Sequence, residues 1–258
     1  MKPQKLDLLI CRMAYDGYEN SKLVNWLVGQ AIWLHTHPAI GDVYHTEVTR
    51  KAPVARARNL AAQTALKLNA DILVMIDHDI IPSSNWLRVA LALIQEHRAE
   101  GRRAIVAAPA VCDDGKTNVA VYKTPVLPGG FQWDGPTTLH RHGVTEASLF
   151  GGVGDAGAAG TGCIAIDCEV FRRLPQPWFA LEYADEQELE VATGEDIYFT
   201  RNATKDGFPV LITWDEWAVH KKQVDLVRPE PIDPFTIPAR YREAVGLLAS
   251  NEQSLRGD

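Results

Sequence analysis

The chain has 258 residues, 46% of them hydrophobic and 23% charged, so we expect one large or two small folded domains and not a mainly disordered chain. Lys and Arg number 26 against 33 Asp and Glu, and this net charge of −7 argues against a general binder of nucleic-acid phosphates. We expect no signal peptide, and no apolar run reaches the roughly 18 residues of a membrane span. The four cysteines lack C-x-x-C spacing, which argues against a zinc site and indicates the cytoplasm.

Apolar and amphipathic segments alternate through the first 110 residues. Continuous apolar runs predict buried strands at 6–12, 43–48, 71–76 and 104–108. Helical spacing between these runs predicts helices that begin at Asn20-Ser21, at Pro53, and at Ser83 or Ser84. This alternation predicts an α/β fold with an open, mostly parallel sheet and helices on both faces. Ligands of such sheets bind beyond the carboxyl ends of the strands, so we expect the functional residues there.

The composition changes from residue 111 onwards, where glycine, proline and turn residues dominate as far as residue 160. Regular patterns then return and predict a strand at 163–167, a helical turn at 169–174, a helix at 195–206 and a strand at 209–213. The tail from Arg228 has regularly spaced prolines and then a helical pattern at about 239–250. We therefore expect a strap and a terminal helix, not another domain.

Two aspartates follow the most hydrophobic of the predicted strands. Asp77, His78 and Asp79 come directly after the run ILVMI, and Pro82 soon afterwards marks the end of the strand. Carboxylates in this place are well suited to Mg²⁺ or Mn²⁺, which prefer oxygen ligands and share their coordination shell with substrate phosphates. A solvated surface turn is the alternative, since D-x-D triplets are common. The position after the central apolar strand favours the metal site.

Three further short motifs contain residues suited to binding or catalysis. The G-T-G turn at 160–162 comes just before a strand, and its glycines permit close approach of a ligand, although an ordinary turn is the simpler interpretation. Glu195 and Asp196 begin a helix, and the helix dipole stabilises carboxylates at this end. Stabilisation of the helix start is therefore the alternative to a role as general base. His220 follows a predicted strand, where a histidine is more often structural than a metal ligand.

In this order the four motifs resemble those of GT-A-fold glycosyltransferases, especially the family-2-like members. The segments VARARNLAAQTALKLNADILVMIDHD, GTGCIAIDCEVFRRLPQPWF and GEDIYFTRNATKDGFPVLITWDEWAVH are similar to that family, and the resemblance covers roughly residues 6–221. It implies a GT-A (Rossmann-like) sheet, a smaller acceptor-side sheet and a C-terminal helical tail. Residues 1–110 would then be the nucleotide-sugar-binding half, 111–225 the acceptor-binding and catalytic half of the same domain, and 226–258 the proline-rich strap and terminal helix.

The resemblance also implies roles for the motif residues. Asp77 and Asp79 would bind Mn²⁺ or Mg²⁺ that bridges the diphosphate of a nucleoside diphosphate sugar, expected to be a UDP-sugar, and His220 would complete the site. Asp196 would be the catalytic base of an inverting enzyme or an acceptor-binding residue of a retaining one. Glu195 would hold the acceptor or the helix geometry, and which of these two carboxylates is the base stays open.

Weaker sequence features assign several further residues to the predicted site. Ala14 and Tyr15 follow the first strand, where the family seats the nucleobase, and Tyr15 offers a ring for stacking. Arg56 and Arg58 lie in the first turns of the next helix, where either could contact the diphosphate or belong to a solvated face. His78 and Gly162 would border the donor sugar. Asp155 lies just before the glycine turn, where the family often has an acidic residue near the acceptor.

Two other functions remain open on the sequence. A nucleotidyltransferase also uses paired acidic residues, but it would carry a glycine-rich basic loop after the first strand, where this chain has CRMAYDGYENSK. A non-catalytic module with the same fold would have no need for the intact acidic motifs and the late histidine.

The acceptor hydroxyl is not specified by any motif. A lipid-linked sugar, a protein, a small molecule or a hydroxymethylated base of DNA are all compatible, the last as in some viral enzymes, with the host cytoplasm as compartment. Two local basic patches could steer a duplex despite the net charge: Arg98, Arg102 and Arg103, and His140, Arg141 and His142. The sequence does not indicate an oligomeric state.

Overall fold

The computed structural model describes residues 5–14, 20–49, 53–112, 118–123, 140–183, 191–221 and 225–226. The helices of these ranges are α1 (Ser21–Thr36), α2 (Val54–Lys67), α3 (Trp86–Ala99), α4 (Val144–Ala147), α5 (Cys168–Arg173) and α6 (Glu195–Lys205). The strands are β1 (Leu6–Ala14), β2 (Ile40–Thr49), β3 (Ile72–Asp77), β4 (Ile80–Ile81), β5 (Ile105–Ala107), β6 (Asn118–Tyr122), β7 (Arg141–Gly143), β8 (Val153–Ala156), β9 (Ala158–Ala159), β10 (Cys163–Asp167), β11 (Glu182–Tyr183), β12 (Val191–Thr193), β13 (Val210–Thr213), β14 (Val219–Lys221) and β15 (Asp225–Leu226).

A seven-stranded sheet forms the centre of the molecule, with the strand order β2-β1-β3-β10-β5-β13-β8. β1 runs parallel to β2 and β3, and β13 runs parallel to β5. β10 runs antiparallel to both of its neighbours, and β8 runs antiparallel to β13. Five strands therefore point in one direction, and only β10 and β8 of this sheet point in the other. The predicted open, mostly parallel α/β sheet is confirmed.

Helices cover both faces of the sheet because every central strand carries apolar side chains on both sides. Successive strand residues point to opposite faces. Leu9 and Met13 of β1 pack in one apolar cluster with α2, α5 and α6, and Leu8 and Ile10 pack in the other with α1 and α3. Burial of one such leucine or isoleucine side chain contributes about 1.5–3 kcal/mol. These two clusters hold the strand ends, and hence the residues beyond them, in fixed positions.

The residue that caps the helix is the predicted one in α1 but not in α3. Asn20 caps α1 as predicted, since its side chain accepts a hydrogen bond from the backbone N–H two residues further on. The predicted cap of α3 by Ser83 or Ser84 is wrong, because Asn85 precedes the first helical residue and makes no side-chain cap bond. The backbone carbonyl of Ser83 instead accepts a hydrogen bond from the indole of Trp26 at 2.8 Å. The serines therefore connect this segment to α1.

A small three-stranded sheet lies beside the end of β3 and has the order β15-β14-β4. β14 pairs antiparallel with β4, so that His220 lies opposite Ile80 and Val219 opposite Ile81. Residues 140 positions apart in the chain thereby become neighbours. A second small sheet, β7-β6-β9, lies before the glycine turn that leads into β10.

Buried ion pairs connect α3 to the amino-terminal end of β3 and the end of β10. Arg98 donates to Asp167 at 2.6 Å and to Asp71 at 2.8 Å, and Asp167 is completely buried. Burial lowers the pKa of Arg98, but its hydrogen bonds to these two carboxylates raise the pKa above its usual value. Arg103 also contacts Asp167, and Arg102 pairs with Glu100. The first of the two predicted basic patches is therefore largely paired with carboxylates.

Three further observations bear on the sequence predictions. Within the described ranges, no helix is long and apolar enough to cross a membrane. All four cysteines are free thiols. The predicted strap and terminal helix, residues 226–258, lie outside the described part of the chain, apart from Leu226, the second residue of β15.

Candidate active site

The D-x-D segment begins at the carboxyl end of β3, as predicted. Asp77 is the last residue of the strand, and its backbone N–H donates to the carbonyl of Gly162 at 2.8 Å. The N–H of His78 donates to the carbonyl of Met13, at the end of β1, at 2.9 Å. Backbone bonds to strands on both sides therefore fix the direction in which Asp77, His78 and Asp79 leave the sheet.

Asp79 and His220 lie together, although 141 positions separate them in the chain. The Nε2 atom of His220 is 3.3 Å from Oδ2 of Asp79, and the backbone N–H of Lys221 donates to the Asp79 carbonyl. On the other side of the ring, Nδ1 of His220 is 3.0 Å from the carbonyl oxygen of Val111. Pairing of β14 with β4 is what brings this histidine to the D-x-D segment.

The hydrogen bond to Val111 determines which nitrogen of His220 is protonated. A carbonyl oxygen only accepts hydrogen bonds, so Nδ1 carries the hydrogen. In the neutral ring Nε2 then has a lone pair, which faces the Asp79 carboxylate. A nitrogen and a carboxylate oxygen at this distance of 3.3 Å can share a cation, either a proton, as in an ordinary ion pair, or a metal ion. Neighbouring ligands of an octahedral ion at about 2.1 Å lie about 3.0 Å apart, so the pair fits such an ion.

Arg58, for which the sequence allowed either a contact with the diphosphate or a solvated position, lies at the centre of a buried network of charged side chains. Its side chain is 5% exposed, and it contacts Asp77 at 3.0 Å and Glu195 at 3.4 Å. The guanidinium thus bridges the end of β3 and the first turn of α6. The alternative of a solvated face is wrong for Arg58, because the helix residues around it, Ala57, Ala61, Ala62 and Ala65, are buried against the sheet.

The network contains more carboxylates than cations. Burial raises the pKa of Asp77, Arg58 partly offsets this rise, and the negative charges of Asp79 and Asp196 add to it. Burial also raises the pKa of Glu195, with Arg58 again offsetting the rise and Asp196 adding to it. Four carboxylates therefore influence one another around one guanidinium. The repulsion between them is relieved when a proton or another cation binds among them.

The glycine turn lies between Asp77 and Asp196. A Cβ atom on Gly162 would lie 3.3 Å from Oδ2 of Asp77, and one on Gly160 would lie 3.5 Å from Oδ2 of Asp196. The other carboxylate oxygen of Asp196 accepts a hydrogen bond from the backbone N–H of Ile197 at 2.8 Å. The turn therefore brings its backbone close to the carboxylates of Asp77 and Asp196, and the close approach of a ligand that the sequence predicts there stays a prediction.

The other predicted donor-site residues are dispersed. Ala14 is buried at the end of β1 opposite Thr49, and Tyr15 lies outside the described residues. Arg56 is exposed and lines a cavity of about 320 Å³ between β2 and α2, together with Val48 and other residues of the helix. Unlike Arg58, it has the solvated position that the sequence offered as an alternative.

Asp155 is exposed on β8, the edge strand of the central sheet, opposite Leu211 of β13. Its side chain lines a cavity of about 420 Å³ with His142 and Trp214. Its predicted place near the acceptor stays a prediction. The strand that carries it, β8, belongs to the central sheet, whereas β9, just before the glycine turn, belongs to a small sheet.

The three predicted metal ligands are only partly assembled. Asp79 and His220 face each other, whereas both carboxylate oxygens of Asp77 accept hydrogen bonds from Arg58. Among the described residues, no group of three histidine, cysteine, aspartate or glutamate side chains is arranged as a metal site. A metal at this place would therefore have two protein ligands, a number that Mg²⁺ accepts when water and phosphate oxygens complete the shell.

Two contributors to the site were missed by sequence reasoning. The Val111 carbonyl that orients His220 carries no side-chain signal and could not have been found. Asn59 could have been noticed, since it follows Arg58 directly on a helix that is rich in alanine. Its side chain accepts from the N–H groups of Trp178 and Phe179 and donates to the Phe179 carbonyl, which holds the segment after α5 against α2.

Searches with the sequence found no matching family model and no similar curated protein. Comparison of the structure with solved structures found A197 from STIV, with a TM-score of 0.56 and 16% sequence identity over 88% of this chain and 97% of the other. The chain has the fold of A197. At this identity, the likeness to A197 concerns the fold and not the activity.

Two other similar structures have TM-scores below 0.5. GalNAc-T7 with UDP, GalNAc and Mn²⁺ gives a TM-score of 0.46 at 15% identity, over 91% of this chain and 46% of GalNAc-T7. A UDP-glucose pyrophosphorylase complexed with UDP-glucose gives 0.46 at 9% identity, over 84% and 93% of the two chains. This chain therefore spans less than half of the GalNAc-T7 chain and most of the pyrophosphorylase and A197 chains.

Proposed function

We propose that the protein is a metal-assisted glycosyltransferase that moves a sugar from a nucleoside diphosphate sugar to a hydroxyl acceptor. The observation that supports the proposal is the Asp79–His220 pair, an imidazole nitrogen and a carboxylate oxygen 3.3 Å apart that are placed to share one divalent cation. Its position at the carboxyl end of β3 is where open α/β sheets bind their ligands. The donor would be a UDP-sugar, as the sequence resemblance implies.

Asp79 and His220 would hold Mn²⁺ or Mg²⁺, and the donor diphosphate would supply further oxygen ligands. When bound, the metal would neutralise charge that develops on the leaving diphosphate. Asp77 would act differently from the sequence prediction, because its two carboxylate oxygens accept hydrogen bonds from Arg58, which neutralises part of its charge. It would contribute negative charge near the metal and would hold Arg58 against α6.

The same contacts suggest which carboxylate of α6 is the base. Glu195 is paired with Arg58, so its charge is partly neutralised and its orientation is fixed. In Asp196 one oxygen caps its own helix, and the other lies near Gly160 beside the turn. We therefore assign Asp196 as the general base that accepts the proton of the acceptor hydroxyl, and Glu195 as a positioning residue.

The basic patches do not favour DNA as the acceptor. Arg98, Arg102 and Arg103 are paired with carboxylates. In the second patch, Arg141 donates to the hydroxyl of Tyr122. A smaller hydroxyl acceptor needs no such patch. The four free thiols agree with the cytoplasmic compartment that the sequence predicts.

The test is release of nucleoside diphosphate from a panel of nucleotide sugars, with Mn²⁺, Mg²⁺ or a chelator. Asp79→Asn should abolish metal-dependent release, and Asp42→Asn, the same change at an exposed position on β2, should leave it unaltered. Asp196→Asn should lower transfer to an acceptor by about 10²–10⁴-fold while donor binding persists.

Three outcomes contradict parts of the proposal. Release that is unaffected by chelator removes the metal assignment. Normal transfer by Asp196→Asn combined with an inactive Glu195→Gln reverses the roles of the two carboxylates. Formation of a nucleotide sugar from a nucleoside triphosphate and a sugar phosphate, with release of pyrophosphate, identifies a nucleotidyltransferase instead.

A further inference from the structure

A second cavity lies at the edge of the sheet, away from the Asp79–His220 pair. This edge cavity has a volume of about 420 Å³. The residues of its lining that matter here are His142, Phe150, Val153, Gly154, Asp155 and Trp214. None of them belongs to the network around Arg58, so the edge cavity can bind a ligand independently of the nucleotide-sugar donor.

Aromatic rings form one wall of the edge cavity. Phe150 and Trp214 have ring centroids 4.9 Å apart, and His142 packs at nearly right angles against both, at 5.2 Å and 5.7 Å. Trp214 lies directly against β8, because a Cβ atom on Gly154 would be only 2.7 Å from its indole nitrogen. The glycine therefore makes room for the indole, and the wall is a fixed apolar surface.

Hydrogen bonds also hold the loop that borders this wall. The backbone N–H of Trp214 donates to the carbonyl of Gly152 at 2.8 Å, and the N–H of Gly152 donates to the carboxylate of Asp215 at 2.7 Å. A ligand thus meets a preformed cavity, and little affinity is lost to the ordering of a loop.

The polar groups of the edge cavity select the class of ligand. Asp155 is exposed and supplies a carboxylate that accepts hydrogen bonds, beside the apolar side chain of Val153, which is 46% exposed. Burial lowers the pKa of His142, an effect that the neighbouring Glu146 carboxylate partly offsets, and the ring adds a polar nitrogen to the wall. A polar ring, an apolar wall and the Asp155 carboxylate suit a ligand with C–H faces and several hydroxyl groups.

Two other ligand classes fit less well. A phosphate would be repelled by Asp155 and by the nearby Asp215. A cation binds over the face of an aromatic ring. Here the rings of His142, Phe150 and Trp214 pack against one another on one side of the cavity, so they form a single wall and do not surround a cation.

We propose that the edge cavity is a saccharide-binding subsite for a sugar ring of the acceptor. Its role as an acceptor subsite rests on the proposed function, whereas saccharide binding as such does not. Only five residues lead from Asp155 to Gly160, which lies beside Asp196, and they span at most about 18 Å. An acceptor of a few linked rings can therefore occupy the edge cavity while its terminal hydroxyl lies near Asp196.

The experiment measures saccharide binding by saturation-transfer NMR on the full chain without donor or metal. The probes are glucose, galactose, N-acetylglucosamine and disaccharides of these, each at millimolar concentration. We expect at least one of them to bind, with a dissociation constant that rises at least tenfold in Asp155→Asn and in Phe150→Ala. Asp42→Asn, on the opposite edge strand, should bind like the wild type.

Further measurements separate this proposal from the proposed function. Asp79→Asn should keep saccharide binding, and Asp155→Asn should keep UDP and Mn²⁺ binding. A melting curve shows whether Phe150→Ala is folded, and Asp155→Asn tests the edge cavity without removing any packing. Saccharide binding in a protein that never transfers sugar would uphold the subsite and contradict the glycosyltransferase assignment.

Three results overturn the saccharide subsite. The first is the absence of saturation transfer to every probe. The second is equal binding by wild type, Asp155→Asn and Phe150→Ala, because the probe would then occupy another place. The third is binding of tetramethylammonium that is lost in Phe150→Ala, since the edge cavity would then be a cation site.

Discussion

Replacement of Arg58 by methionine tests the buried network most sharply. Methionine retains an unbranched apolar side chain in the space of the arginine stem, so the main loss is the guanidinium. Removal of one partner from a buried ion pair costs about 3–5 kcal/mol, because the remaining charge is left uncompensated. The carboxylates of Asp77 and Glu195 retain 17% and 15% exposure, so water can solvate them partly. We therefore expect a loss near the lower end, about 3 kcal/mol in the free energy of unfolding.

The assay is urea unfolding of Arg58→Met beside Arg56→Met. Arg56 is exposed on the same helix two residues earlier, so its replacement should change the free energy of unfolding by less than about 0.5 kcal/mol. In a chain that already carries Asp77→Asn and Glu195→Gln, Arg58→Met should cost at least about 1 kcal/mol less than in the wild type, because no unpaired carboxylates remain. Equal small losses for Arg58→Met and Arg56→Met would refute the network as a source of stability.

Three other predictions follow from single contacts. Asn59→Ala should lower the free energy of unfolding by about 2 kcal/mol, since the backbone groups of Trp178 and Phe179 lose their partner, and thermal unfolding measures this loss. Gly162→Ala should weaken UDP binding in calorimetry, because the added Cβ would lie 3.2 Å from Cγ1 of Ile80 and 3.3 Å from Oδ2 of Asp77, so that these side chains must shift slightly; unchanged binding would contradict this close approach. Half-buried Cys112 should react with a thiol reagent well before the buried Cys11, Cys163 and Cys168. Burial raises the thiol pKa of Cys11 and of Cys168 to about 12.

Local patterns in the sequence were sufficient for most of the secondary structure. The strand predicted at 163–167 is β10, with the same bounds. All five of its residues are buried, and the glycine turn before it marks where it begins. The helix predicted at 195–206 is α6, which ends one residue earlier and is followed by Gly207 in the left-handed region, at a φ of 82°. These features depend on residues close together in the chain.

The position of β10 in the sheet could not be predicted in the same way. It lies between β3 and β5 and runs against both, which places the glycine turn beside Asp77. Chain order contains no signal for an insertion of this kind, because it depends on contacts between distant residues. The same holds for Asp155, since only the structure shows that β8 joins the central sheet while β9, which begins two residues later, joins a small one.

Helical spacing alone distinguishes the two arginines of α2. Arg58 is four residues before Ala62 and seven before Ala65, which places it on the buried face, whereas Arg56 is exposed. A buried arginine needs carboxylate partners, so the sequence alone could have predicted an ion pair for Arg58. Which carboxylates it contacts depends on the packing of α2 against β3 and α6, and only the structure supplies that.

The central claim is that Asp79 and His220 hold a divalent cation together with a nucleoside diphosphate. Its most direct measurement is the affinity for Mn²⁺ in the presence of UDP, by electron paramagnetic resonance of the free ion. The wild type should bind Mn²⁺, Asp79→Asn and His220→Gln should each bind it at least tenfold more weakly, and Asp42→Asn should bind it like the wild type. Equal Mn²⁺ affinity in all four proteins would contradict the claim, and the facing lone pairs would then share only a proton.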